Sequence, residues 1–416
     1  MLKHLNKFFF ILSFILFSIA VVAQEKSLAA YIDSGLMKSP LLKEYSNMIL
    51  ANGIDSMRIS ASYKPQVNGS SYNNYSPVIN GYGFDNVITN GANFSQLVTV
   101  SKQLVSKQNL QNQFNGIQLQ SNSLSITSKI SEQDLKRTIT SQYITAYGKW
   151  QQYSFNKEVY DLLSKEDTVL KKLTQAGVYR QTDYLTFLVT LQQQQLAITQ
   201  AKIEFQNEFA TLNYVSGMFD TSFSTMHDPG IKLNDLPELE STVFYQKFNT
   251  DSLLLKNKDA QIDFAYKPKV SLYANGGYVS TFSYLPYKNF GAGVGLNVDL
   301  PIYDGRQKKM QHEKIAIEEQ TREDYRDFFK TQYRQQVAQL VQQLQSTQEF
   351  INETTEQLKY TEALLQANGK LMATGDVHIA DYVIAINNYL NAKNIIAQNT
   401  INKLQIISQI NYWNKQ

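Results

Sequence analysis

Between Phe290 and Ile302 the apolar residues fall on every second position. Phe290, Ala292, Val294, Leu296, Val298, Leu300 and Ile302 alternate with Gly291, Gly293, Gly295, Asn297, Asp299 and Pro301. Strict alternation predicts a strand with one greasy face and one small or polar face. Residues 269–284 alternate more loosely, with Val270, Leu272, Ala274, Tyr278, Phe282 and Tyr284 on one side. The two segments predict a hairpin with an aromatic tip at residues 282–287. The same register appears 198 residues earlier at Phe94, Val98, Val100 and Leu104, interrupted by Gln96 and Lys102. Its expected partner, residues 65–75, is polar and weakly patterned. Four strands are predicted in all.

After each hairpin the period changes. Prolines stand at 40, 65, 77, 229, 237, 268, 286 and 301, leaving residues 78–228 and 302–416 free of them. Proline inside a helix costs about 3 kcal/mol, so such avoidance marks long helices. Residues 306–372 and 108–174 each give a 67-residue candidate. One such helix would span about 100 Å at 1.5 Å per residue. Gly116 and Gly148 are places where the first could kink or break. Gly177 and Gly375 are plausible C-terminal breaks. Return helices are expected at 182–215 and 379–414, with Asp183 and Asp381 in their first turns, where negative charge suits the dipole. Lead-in helical segments are expected at 27–62, with a Ser39-Pro40 start signal, and at about 240–265.

The chain repeats itself. Tyr63-Lys64-Pro65-Gln66-Val67 recurs as Tyr266-Lys267-Pro268-Lys269-Val270, an offset of 203 residues. Gly177 followed six residues later by Asp183-Tyr184 recurs as Gly375 followed by Asp381-Tyr382, an offset of 198. A tandem duplication follows. The five-residue slip between the offsets places a longer loop in the first hairpin. The expected organisation is a leader at 1–23, a first repeat at 24–216, a linker at 217–239 and a second repeat at 240–416. The strand pairs lie at about 65–104 and 268–302, and the helix pairs at about 107–215 and 305–414. Pro65 and Pro268 open the strand pairs, while Pro301 and Gly305 mark the second strand-to-helix junction.

The leader changes where the chain is expected to work. Lys3 and Lys7 precede an uncharged run from Phe8 to Val22, and Val21-Val22-Ala23 offers a cleavage site. About 15 apolar residues suit a signal peptide better than a spanning helix; an uncleaved anchor is the alternative. Charge is nearly balanced, with 39 Lys and Arg against 36 Asp and Glu, which argues against nucleic-acid binding. Cysteine is absent, excluding disulfides and thiol nucleophiles. No catalytic, cofactor or metal constellation converges. Gly291-x-Gly293-x-Gly295 has the wrong spacing and context for a nucleotide loop, and His312-Glu313 lacks a second zinc ligand.

Four strands cannot close a membrane barrel, which needs eight or more. Other copies must complete it: two give eight strands, three give twelve, and the pattern leaves both open. The helices carry a thin apolar stripe, as in Gln335-Gln336-Val337-Ala338-Gln339-Leu340-Val341-Gln342-Gln343-Leu344. A wall one helix thick needs only such narrow seams, although an ordinary coiled coil fits nearly as well. Strands joined to long helices in an exported chain imply a duct.

At these residues the chain resembles the TolC family of outer-membrane efflux and secretion ducts. The likeness lies in Tyr266-Lys267-Pro268-Lys269-Val270-Ser271-Leu272 and in the junction Gly293-Val294-Gly295-Leu296-Asn297-Val298-Asp299-Leu300-Pro301-Ile302-Tyr303-Asp304-Gly305. It continues in Gly375-x5-Asp381-Tyr382 with Asn388-Tyr389-Leu390-Asn391-Ala392-Lys393. The resemblance implies an α+β membrane protein, a homotrimer whose chains complete a β-barrel in outer-membrane lipid and an α-helical barrel in the periplasm. It also implies docking to a periplasmic adaptor (membrane fusion) protein and an inner-membrane RND or ABC transporter, with no reaction catalysed. Asp381 matches the family's first tip aspartate, and Asp183 is its counterpart in the first repeat. They are expected either to line the periplasmic entrance or only to satisfy helix N-termini. The family's second tip aspartate falls on Ile384 and its arginine on Val377. Arg180 is the candidate replacement for that arginine, and His378 a candidate pH-sensitive group. A periplasmic adaptor and a non-transport outer-membrane structural protein are the alternatives.

Overall fold

The computed structural model describes residues 27–77, 79–82, 92–219, 225–236, 238–282 and 285–413. The leader at 1–23, most of the first hairpin loop, Pro237, the hairpin-tip residues Ser283 and Tyr284, and Asn414 lie outside the described residues.

Eleven principal elements follow in chain order among the described residues. They are α1 (Leu28–Lys38), α2 (Pro40–Ser62), β1 (Gln66–Tyr75), β2 (Ala92–Leu104), α3 (Lys107–Gln175), α4 (Gln181–Val215), α5 (Val243–Ala265), β3 (Lys269–Ser280), β4 (Phe290–Asp299), α6 (Gln307–Thr374) and α7 (Ile379–Tyr412). Short 3₁₀ turns precede α5 and β4. Among the described residues no helix is long and apolar enough to cross a membrane.

The strands form one antiparallel sheet in the order β1-β2-β3-β4. The β2–β3 pairing therefore joins the two repeats, with Leu104 opposite Val270 and Phe94 opposite Ser280. Pro65 and Pro268 each stand one residue before a strand, where a missing N–H costs the ladder nothing. The lead-in to the first repeat is two helices, the second starting at Pro40. Ser39 separates them in extended conformation, and its Oγ accepts from Leu42 N at 3.4 Å.

Neither Gly116 nor Gly148 interrupts α3, which runs for 69 residues. Both are sites of close approach. A Cβ on Gly116 would stand 2.7 Å from Asn257 Oδ1, and one on Gly148 3.0 Å from Ile401 Cγ1.

The chain divides into two compact units, and each draws on both repeats. One comprises the segment up to Leu42 with Ile130–Thr242 and Thr331–Gln416; the other comprises Lys43–Lys129 and Val243–Lys330. Among the described residues the first unit holds two apolar clusters. One gathers Leu163, Leu170, Phe187, Met372, Ile379 and Tyr382, and the other gathers Tyr31, Ile139, Tyr143, Phe205 and Leu212. Between clusters the helices are stitched by amides. Gln405 Nε2 donates to Ser141 O at 2.9 Å, and Gln194 Nε2 to Asn156 O at 2.9 Å. Lys149 pairs with Glu204 at 2.7 Å. Seams closed by side-chain hydrogen bonds explain how helices so rich in Gln and Asn pack with only a thin apolar stripe.

Candidate functional site: an amphipathic sheet and paired helix tips

In the sheet-bearing unit, cross-strand register sorts the side chains, because directly opposed residues share a face. One face carries Val98 and Val100 of β2, Leu272 and Ala274 of β3, and Val294 and Leu296 of β4. Val294 is 87% exposed and Phe290 75%. The opposite face carries Asn68, Ser70 and Tyr72, Thr99 and Ser101, Tyr273 and Asn275, and Gly293, Gly295 and Asn297. The β4 glycines make room for cross-strand neighbours. A Cβ on Gly293 would stand 2.9 Å from Asn275 Oδ1, and one on Gly295 would overlap the Tyr273 ring. From Val298 to Phe290 is eight residues, about 27 Å of strand. Aromatic rings close the far end, where Tyr278 lies 5.1 Å from Phe290 and Phe94 4.7 Å from Phe282.

The strand-to-helix junction of the second repeat is built on Asp304. Its carboxylate accepts from Arg306 N at 2.8 Å and Lys308 N at 2.6 Å, so it caps α6. The Lys308 N–H above all, with the Tyr266 hydroxyl and the Arg306 N–H, holds the Asp304 carboxyl below the usual carboxylate range. Gly305 takes φ +66° and Arg306 +70° in the same turn, while Pro301 follows β4 by two residues.

In the other unit, the turns between α3 and α4 and between α6 and α7 are built alike. Val178 N bonds to Leu173 O at 2.9 Å, and Asp376 N to Leu371 O at 3.0 Å. These are Schellman closures, with Gly177 at φ +78° and Gly375 at φ +84°. Arg180 and His378 are the matching N-cap residues, and neither caps with its side chain. Asp183 and Asp381 each stand three residues on, in the first turn. Asp183 is half-buried; Arg180, His378 and Asp381 are exposed. Among the described residues no ion pair joins Arg180 to either aspartate.

Tyr179 is the residue the sequence reading missed. Its ring is buried, and its hydroxyl lies 2.9 Å from Met372 O and 3.0 Å from Val377 O. It thereby ties the first turn to the second. Burial, with Asp376 nearby, raises its pKa. The repeat gave no signal for it, since the matching position is Val377. Nearby, Tyr184 donates to Asp167 Oδ1 at 3.0 Å, and burial beside Glu166 drives the Tyr382 pKa upward.

The two glycines differ in their surroundings. A Cβ on Gly177 meets nothing within 4 Å, whereas one on Gly375 stands 2.6 Å from Val178 Cγ1. Gly177→Ala is therefore expected to cost only left-handed strain, about 1–2 kcal/mol. Gly375→Ala should cost more, and adding Val178→Ala should recover the excess. Thermal melts of the three variants check this; equal costs for both glycines would refute the contact.

No protein-family model matches the chain, and neither does any curated protein sequence. Solved structures do match. CusC, described as forming a transmembrane channel, superposes with a TM-score of 0.77 at 13% identity, over 94% of this chain and 92% of CusC. The CmeC outer membrane channel of Campylobacter jejuni gives 0.74 at 13% identity, over 94% and 85% of the two chains. The open state of the MtrE outer membrane channel of Neisseria gonorrhoeae gives 0.73 at 11%, over 93% and 88%. The chain has the TolC-family channel fold. That fold is a four-stranded sheet and long helices in each chain, and in the assembled channels it forms a trimeric β-barrel with an α-helical barrel. The channel fold accounts for both an uncovered apolar sheet face and helices with narrow seams.

Proposed function

We propose that the chain is an outer-membrane channel. Three copies would close a twelve-stranded barrel in lipid and continue it as a helical tube in the periplasm. The observation that carries this reading is the sheet, apolar and uncovered on one face, polar on the other, and open at both β1 and β4. Lipid would cover the apolar face, and neighbouring copies would pair the edges, since open edges are not tolerated in hydrocarbon. A second support is the row Leu185, Val189, Leu196 and Ile203 on α4. All four are exposed in the single chain and spaced as a seam for another helix.

Within this reading the channel conducts passively in an efflux or secretion assembly, fed by a periplasmic adaptor and an inner-membrane transporter. The turns at Gly177 and Gly375 would be the periplasmic entrance. Three copies each of Asp183 and Asp381 would gather carboxylates there and favour cations.

The test is purification from outer membranes followed by planar-bilayer recording. A heat-modifiable trimer with cation-preferring conductance is expected, and Asp183→Asn with Asp381→Asn should weaken that preference. Val294→Arg, on the apolar face, should cost about 2–4 kcal/mol near the bilayer midplane and deplete the chain from the membrane. A water-soluble monomer without conductance would refute the proposal.

A further inference from the structure

The apolar face of the sheet carries one amine. Lys102 lies on β2 between Val100 and Leu104, directly opposite Leu272, and is exposed. It stands two residues, about 7 Å, from the helix-side end of the strand. Its aliphatic stem can lie along Leu104 and deliver the charge to that rim.

The rim itself carries a surplus of positive charge. Two carboxylates there are already engaged, Asp263 by Lys308 at 2.8 Å and Asp304 by the α6 N–H groups, while Asp299 stands opposite Lys269 in register. Left over are Lys64, Lys107 and Arg306, each exposed and without an ion pair among the described residues, together with Lys267 above the Phe264 ring at 4.3 Å. At the opposite end of the strands, Lys288 is the one Lys, Arg, Asp or Glu among the described residues.

We infer that this collar seats acidic phospholipid headgroups of the helix-side leaflet. The inference rests on the proposal that the sheet lies in lipid. Lys102 chooses the partner: it rises from a face that lipid tails would cover, so a soluble protein reaches it only by displacing lipid. A phosphate at the headgroup level meets it without rearrangement. Each basic residue near an anionic surface should tighten association about fivefold.

The test uses the full chain in phosphatidylcholine vesicles with spin-labelled phosphatidylglycerol or spin-labelled phosphatidylcholine, comparing the fraction of each label immobilised at the protein. Phosphatidylglycerol should be preferred at least fivefold at low salt and lose its preference in 1 M NaCl, where screening is short-ranged. Lys64→Gln, Lys102→Gln and Lys107→Gln together should lower the preference at least threefold. The three corresponding Arg substitutions should retain it, and Lys288→Gln should leave it unchanged. Equal immobilisation of both labels by the wild-type chain, or a triple Gln variant that keeps its preference, would overturn the collar. No immobilised lipid of either kind would instead overturn the membrane placement itself.

Discussion

Gly277→Val is expected to abolish the folded protein. Gly277 sits in β3 between Leu97 of β2 and Gly291 of β4. A Cβ there would overlap the Gln96 carbonyl oxygen and stand 3.0 Å from both Gln96 C and Leu97 Cα. Those are backbone atoms of the neighbouring strand, so no side-chain rotation relieves the clash. The strands must part, and β2–β3 is the pairing that joins the two repeats within the sheet. A cost above about 4 kcal/mol is expected, in the range reserved for broken backbone networks. Gly291→Val supplies the control. It lies directly opposite in the register, yet a Cβ there meets nothing within 4 Å. The pair can be compared by the yield of folded, heat-modifiable protein and by β-sheet circular dichroism in detergent. Similar yields for the two variants would show that the sheet tolerates a side chain at Gly277.

This glycine also shows what the sequence could and could not say. The β4 alternation was legible because five successive apolar positions, Phe290 to Val298, keep one register within the strand, although the pattern runs on to Leu300 and Ile302 beyond its end at Asp299. The tip glycines Gly177 and Gly375 were legible because a helix that ends and reverses needs a left-handed residue, and glycine adopts that cheaply. Gly277 looked like any strand glycine. Its importance comes from Gln96, which lies 181 residues away in the chain. Gly116 and Gly148 misled in the opposite direction. Read locally they are helix breakers, but Asn257 and Ile401 pack where their side chains would be. Strand β1 was faint because Gly69, Ser71 and Asn73 occupy positions on the sheet's greasy face; its place is fixed by ten register partners in β2.

Tyr179 lay beyond the sequence for a related reason, and its removal is expected to loosen the helix turns more than any other single truncation there. The hydroxyl has one proton and two acceptor carbonyls, Met372 O and Val377 O, so that proton is shared between them in a three-centre bond across the α6–α7 turn. Tyr179→Phe keeps the ring and loses this bridge, at about 1 kcal/mol. Tyr179→Ala also empties a site within the Leu170, Met372 and Ile379 cluster, at about 3–5 kcal/mol. Amide hydrogen exchange reads the difference where it matters. Protection at Gly375 and Asp376, whose N–H groups close the α6 end, should fall about fivefold in the Phe variant and at least a hundredfold in the Ala variant, since each 1.4 kcal/mol is tenfold. Full protection in Tyr179→Phe would mean that ring packing alone pins the turn. If the turns form the channel entrance, as proposed, the same loosening should raise single-channel conductance in the Phe variant without changing the barrel. The carbonyls it frees belong to the α6–α7 turn, in the unit that does not contain the strands.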